Sequence, residues 1–237
     1  MTLFLDGDDC LDLARWIRPG DGLIWGQACA EPVTLTAAVT RQAERLGPLT
    51  AFVGTTYADA FDPAAAPNVR VLAYGASGRN RGWQADGLQE ALPVQYSALA
   101  GLFRRRVFPV DVVLLTVAPP DADGRYALGL AEEYLSPALD VARVVIAEVS
   151  PHVPRIHGAR TLAADDIDVL VRTDRRPVEW VAPVPGVADR ALARQVARVV
   201  PDGAVLQLGI GSFPGLVSVA TWEGRRVAPP PSGVHPP

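Results

Sequence analysis

Asp111-Val112-Val113-Leu114-Leu115-Thr116-Val117 decides the fold. After Asp111 the run is apolar except for one threonine, and it is rich in β-branched residues. A strand that is apolar on both faces is buried on both faces, which is the pattern of a strand inside a parallel sheet. A polar turn follows at once, Pro119-Pro120-Asp121-Ala122-Asp123-Gly124. Downstream, residues 143–149 repeat the buried-strand pattern, and 167–171 repeat it more weakly. Upstream, 49–53, 69–74 and the short Leu23-Ile24-Trp25 read the same way. Helical spacing fills the intervals at 8–17, 33–46, 97–106, 132–142 and 188–200, with Asp8 and Asp9 as candidate N-caps of the first helix. Apolar strands alternating with helices predict an α/β fold, a mostly parallel sheet covered by helices on both faces. Ligands of such sheets sit beyond the carboxyl ends of the strands. Those ends are Gly26, Ala118-Pro119, Ser150-Pro151 and Gly209.

Composition narrows the function. With 49% apolar and 20% charged residues among 237, the chain reads as an ordinary soluble globular protein. A net charge of −4 supplies no basic field, so no nucleic-acid partner is expected. No apolar run is long enough to cross a bilayer, and Met1 to Asp6 lacks the basic start of a signal peptide, so no membrane partner is expected. Cys10 and Cys29 form neither a CxxC nor a metal spacing, which points to a reduced cytoplasm. All 22 basic residues are arginine. That excludes a Schiff-base lysine and a Walker-type phosphate lysine from these residues.

The candidate ligand loop lies near the end. Ala204-Val205-Leu206-Gln207-Leu208 reads as a strand and runs into Gly209-Ile210-Gly211-Ser212-Phe213-Pro214-Gly215. Glycines after a strand let a ligand approach bare backbone N–H groups. Pro214 stands where a dinucleotide fingerprint needs its third glycine, so a nucleotide fold is disfavoured. Residues 20–27, reaching Pro32, echo residues 203–210, reaching Pro214: a turn, a short strand, a small-residue loop, then a proline opening a helix. Either a generic strand-loop-helix unit or a duplicated α/β domain produces this echo. The duplication reading divides the chain into one whole domain at 1–186, the opening of a second at 187–217, and an aberrant tail at 218–237. With five prolines in its last nine residues, that tail continues neither a helix nor a central strand. It reads as the product of an early stop or frameshift, or as a natural disordered tail.

Other polar residues carry weaker signals. His152 and His157 share no helical face and have no carboxylate trio, so no metal site is expected. Arg155 suits either an anion or a loop salt bridge. Glu148 is either a cleft carboxylate or a satisfied strand-end group. Asp121-Ala122-Asp123-Gly124 lacks the later ligands of a calcium loop. Ser212 has no evident triad partner.

Three separated stretches resemble the acetyl-CoA hydrolase/transferase family, which includes acetate, succinate and 4-hydroxybutyrate CoA-transferases. Residues 111–124 are similar to its strand and "PPDxxG" turn. Residues 145–158 are similar to its "IAEVNxxMPRxxG" segment, with Ser150 for the usual Asn and Val153 for the usual Met. Residues 188–214 are similar to its "DGxxLQxGIGxxP" region. The resemblance implies two similar α/β domains and CoA transfer between an acyl-CoA and a carboxylate, or hydrolysis, through an acyl-glutamyl anhydride and a glutamyl-CoA thioester. It implies coenzyme A as substrate rather than as a permanent cofactor. The candidate CoA-binding residues are then Gly209, Ile210, Gly211, Ser212 and Phe213, placed to stabilise an oxyanion, with Gly26 and Gln27 in the echoing loop. The family's nucleophile lies in an "H(T/S)EM" segment beyond the Gly-rich loop. No such segment occurs here, and Glu223 is the sole side-chain carboxylate after that loop. No catalytic residue is therefore assigned, and the chain alone is expected to be inactive. The implied partners are an acyl-CoA and a small carboxylate, with a second copy or a second-domain chain as protein partner. The alternative is a non-enzymatic remnant or subunit that binds CoA weakly or pairs with a second chain.

Overall fold

The computed structural model describes residues 2–7, 10–181, 184–209 and 212–224. They fall into two units, divided between Trp180 and Val181. The strands of the first unit are β1 (Leu3–Asp6), β2 (Gly22–Trp25), β3 (Leu49–Phe52), β4 (Val69–Ala73), β5 (Glu90–Ala91), β6 (Val112–Val117), β7 (Tyr126–Ala127), β8 (Val144–Val149), β9 (Thr161–Leu162) and β10 (Val169–Arg172). Its helices are α1 (Val33–Leu46), α2 (Asn80–Ala85), α3 (Leu99–Arg104) and α4 (Leu135–Leu139).

Eight strands form one sheet in the order β1-β10-β8-β6-β2-β3-β4-β5, and every pairing in it is parallel. The central pair β6–β8 runs from Val112 opposite Val144 to Val117 opposite Val149. Leu114, Val145 and Ile146 thus lie in central strands. Alternate residues serve opposite cores, as the two-residue period of a strand requires. Leu23, Trp25, Val112, Leu114, Val144 and Ile146 pack with Leu35, Val39 and Leu46 of α1. Ile24, Val113, Leu115, Val145 and Ala147 pack on the other face with Leu99, Phe103 and Leu135. Phe52 centres that second core, with ring centroids 5.3 Å from Phe103, 5.6 Å from Phe108 and 5.4 Å from Tyr134. Carboxylates fix the register. Asp111, one residue before β6, accepts the Gly22 N–H at 2.8 Å, and Asp168, one residue before β10, accepts the Val145 N–H at 2.8 Å.

Several expectations need correction. Residues 10–17 form no α-helix, and among them only the 3-10 turn Leu13–Arg15 appears, while Asp8 and Asp9 lie outside the described residues. Asp12 takes the Ala14 N–H, while Gln42 of α1 binds both the Leu13 N–H and the Leu11 carbonyl. The backbone of 11–13 is thus bonded to side chains rather than to a helix of its own. The helix expected at 132–142 shrinks to α4, and at its start Glu133 has a φ of 33° that an α-helix cannot include. β1 was not expected at all, and it pairs along β10 at the sheet edge.

The second unit holds α5 (Val187–Val199) and α6 (Ser212–Gly224), which pack on each other. Ala193, Ala197 and Val217 are buried there. The strand expected at 204–208 does not form. A strand exists only through a neighbour that takes its backbone groups, and this unit has no strand among its described residues. Val205 is 99% exposed, and Leu206 and Leu208 are exposed as well. α6 continues past Val217, where the sequence pattern was expected to end. No helix among the described residues is long and apolar enough to cross a membrane.

Candidate functional site

β2 lies between β3 on one side and β6 on the other. The chain leaves β2 through α1 towards β3, β4 and β5, then returns to β6 on the opposite side. The carboxyl end of β2 is therefore the switch point of the sheet, where parallel α/β folds open a crevice. Gly26 and Gln27 occupy that end. A Cβ on Gly26 would overlap the Ala30 carbonyl, so the loop can fold back on itself only with glycine there. Ala28 follows with a φ of 53°, a left-handed conformation that alanine avoids, and its N–H is held by the Thr55 carbonyl at 2.7 Å.

Gln27 organises the polar groups at this end. Its Oε1 accepts from the Thr55 N–H at 2.9 Å and from the Tyr74 hydroxyl at 2.7 Å. With the oxygen so used, the amide nitrogen faces the other way. Nε2 donates to Glu133 Oε2 at 2.5 Å and to the Tyr96 hydroxyl at 3.2 Å. Tyr96 itself donates to Glu133 Oε2 at 2.8 Å. Burial, then the hydrogen bond to Glu133, pushes the Tyr96 phenol well above its usual range, so it remains a donor. The fully buried Tyr134 donates to the Trp25 carbonyl at 2.9 Å. Beneath them, Thr55 Oγ1 and Ser77 Oγ lie 2.6 Å apart. Asn80 locks the base by accepting from the Thr56 N–H and donating to the Gly54 carbonyl, each at 3.0 Å.

Two buried carboxyls flank the start of α1. Pro32 at its N-cap offers no side-chain acceptor. Glu148 of β8 supplies one instead, accepting the Thr34 N–H at 2.9 Å and the Thr116 hydroxyl at 3.2 Å. Glu31, at the end of the Gln27 loop, accepts from the Ala58 N–H and the Thr36 hydroxyl, both at 3.4 Å. Each residue is 3% exposed. Loss of hydration pushes both carboxyls up to about 7, with Glu148 adding like-charge repulsion on Glu31. The hydrogen bonds oppose that rise without cancelling it.

Of the residues the sequence singled out, Gly26 and Gln27 stand in this cluster of the first unit. Gly209 lies exposed in the second unit, with no atom of the described residues close to where a Cβ would be. Ile210 and Gly211 lie outside the described residues. Ser212 and Phe213 open α6, with Phe213 half-buried. Arg155 is spent on a salt bridge to Asp121, whose Oδ1 also takes the Asp123 and Arg125 N–H groups. His152 pairs with Asp174 at 3.0 Å. Glu148 proves to be a satisfied strand-end carboxylate rather than an open cleft group. Sequence reasoning missed Thr55, Tyr74, Tyr96, Glu133 and Tyr134. The carboxyl-end rule that selected Gly26 would also have selected Gly54-Thr55 after β3 and Tyr74 after β4. Glu133 carries no such signal, since it reaches Gln27 across 106 positions of sequence.

Comparison with known proteins agrees with this architecture. Residues 9–182 match the acetyl-CoA hydrolase/transferase N-terminal domain. A 4-hydroxybutyrate coenzyme A transferase of Clostridium kluyveri is 35% identical over 131 residues, which cover 55% of this chain and 30% of that protein. A succinyl-CoA:cyclohexane-1-carboxylate CoA transferase of Geobacter metallireducens is 26% identical over 226 residues, covering 95% of this chain and 50% of that one. Among solved structures, a 4-hydroxybutyrate CoA-transferase of Porphyromonas gingivalis superposes with a TM-score of 0.71 at 27% identity, over 92% of this chain and 50% of that chain. RipA of Yersinia pestis shares the fold, with a TM-score of 0.81 at 24% identity over 90% of this chain and 53% of that chain. The chain thus spans about half, or less, of the length of the relatives it matches. With its parallel sheet, its switch-point loop and the match over residues 9–182, the chain belongs to the acetyl-CoA hydrolase/transferase family.

Proposed function

We propose that this chain supplies the N-terminal half of a site that moves CoA between an acyl-CoA and a small carboxylate. The observation that carries the reading is the family match over residues 9–182, which takes in nearly all of the first unit, whose switch point holds Gln27 in a fixed polar network. A fixed amide donor at a strand end suits the oxygen of a carboxylate or a thioester carbonyl. The backbone of Gly209 to Phe213 would serve the developing oxyanion. In the reaction proposed, a glutamate carboxylate attacks the thioester carbonyl and expels CoA thiolate, leaving an acyl-glutamyl anhydride. The thiolate then attacks the glutamyl carbonyl, releasing the acyl group as a carboxylate and leaving glutamyl-CoA. An acceptor carboxylate or water reverses or ends the cycle. That glutamate has no "HTEM"-like setting in these 237 residues, so we propose that the chain alone binds but does not turn over.

The test is to titrate the purified chain with acetyl-CoA, then assay transfer to acetate, succinate and 4-hydroxybutyrate. Saturable binding with turnover no faster than a buffer control is expected. Turnover that survives Glu223→Ala would place a nucleophile elsewhere in the chain, and turnover lost in that variant would place it at Glu223. A subunit that only pairs with a second chain would show no acetyl-CoA binding at all.

A further inference from the structure

We propose that Gln27 Nε2 and the Tyr96 hydroxyl form a carboxylate-binding subsite for a small aliphatic acid, and that the chain's own Glu133 carboxylate occupies it as an internal competitor. The proposal rests on the reading above that the chain handles a small carboxylate.

The donors are built and fixed. Gln27 cannot rotate its amide without giving up the Thr55 N–H and the Tyr74 hydroxyl, both bound to Oε1. Its stem is wedged against Gly54, where an added Cβ would lie 2.6 Å from Gln27 Cβ. Ala28, next in the chain, is held in its left-handed conformation by the Thr55 carbonyl. Nε2 therefore points outward whether or not an acceptor is present. Tyr96 is ordered independently of Glu133 by edge-on ring contacts, with centroids 5.1 Å from Tyr74 and 6.2 Å from Tyr134. Two converging donors of fixed direction, walled by tyrosine rings, fit one carboxylate oxygen and a short apolar chain.

The present occupant is held differently. Glu133 is exposed, and its backbone φ of 33° is a conformation that L-residues avoid. Both donors converge on a single oxygen of its carboxylate, Oε2. Its exposed position at the rim lets the Glu133 side chain swing into solvent. A ligand carboxylate and Glu133 cannot share the same donors, because two like charges would then meet at hydrogen-bonding distance. An internal competitor lowers the apparent affinity of a ligand by the fraction of time the subsite is filled.

The experiment measures the dissociation constant of propionate by isothermal titration, with propionamide as the uncharged control. It uses the full chain and the Glu133→Gly variant, which removes the competitor and suits the observed φ. Propionate should bind about tenfold more tightly to Glu133→Gly than to the parent, while propionamide, which offers no charged acceptor, should bind neither protein measurably. Adding Gln27→Leu should abolish that gain. A propionate constant within about twofold of the parent overturns the proposal, as does a gain that survives Gln27→Leu. If Glu133→Gly does not fold, Glu133→Gln gives the same reading, since it keeps the length but removes the charge. A gain of about threefold then supports the subsite, and no gain overturns it. Acetyl-CoA titrated into the same samples separates the two claims. Propionate gain without acetyl-CoA binding sinks the CoA reading alone, and acetyl-CoA binding without propionate gain sinks the subsite alone.

Discussion

Lowering the pH from 8 to 5 should stabilise the chain, and Glu31 and Glu148 are the cause. Both carboxyls are buried, and burial raises them from 4.5 in the unfolded chain to about 7 in the folded one. Between those values the folded state holds protons that the unfolded state has released. Stability therefore falls as pH rises through this window. The attraction of the α1 N-terminus for the Glu148 carboxylate acts the other way, but it is worth about 1 kcal/mol. The shift of one such carboxyl corresponds to about 3 kcal/mol. Asp12, Glu90 and Asp121 are shifted downward by their arginine or backbone partners, so they act only at more acid pH. Urea unfolding at pH 5 and pH 8 reads the difference. The Glu31→Gln/Glu148→Gln double variant should lose it, because glutamine keeps an acceptor oxygen for the Thr34 and Ala58 N–H groups, can donate its amide to the Thr116 and Thr36 hydroxyl oxygens, and cannot ionise. A parent protein no more stable at pH 5 than at pH 8 would contradict the burial of these two groups.

Gly54→Ala should strongly weaken ligand binding at the switch point while leaving the fold in place. An added Cβ would overlap Gln27 Oε1 and lie 2.6 Å from the Tyr134 hydroxyl. Neither neighbour can retreat freely. Gln27 is tied to Thr55 and Tyr74, and Tyr134 is buried with its hydroxyl on Trp25. The strain should lower stability by about 1–3 kcal/mol, as overpacking does. The dislodged amide should weaken carboxylate and acetyl-CoA binding by about 100-fold, the loss of two charge-assisted or neutral hydrogen bonds. Calorimetric titration beside a thermal melt checks both. Parent-like affinity in a folded Gly54→Ala protein would mean that Gln27 does not set the site.

The parallel sheet was legible because its central strands are apolar on both faces, as at 112–117 and 144–149. The helix at 33–46 was legible from its apolar spacing and from Pro32 before it. What stayed hidden has physical causes. β1 is a short edge strand, half exposed, and it resembles any mixed terminal segment. Residues 204–208 have the composition of a strand, but composition cannot supply a neighbour to pair with. The helix expected at 132–142 loses its start to the backbone conformation of one residue, Glu133, which no side-chain period encodes. The site was legible only in part. Strand ends can be counted along a sequence, so Gly26 and Gln27 were found. The partners that turn Gln27 into a fixed donor arrive from four other segments, and only folding brings them together.

The most direct test of the account follows the Gln27 side-chain amide by 15N NMR as acetyl-CoA is added to the labelled chain. The Gln27 Nε2 resonances should shift together with the backbone amides of Ala28 and Thr55, saturating at one common affinity. Unmoved Gln27, Ala28 and Thr55 signals would contradict it, most plainly if shifts gathered instead at the surface hollow lined by Asp62, Arg79, Trp83 and Leu88.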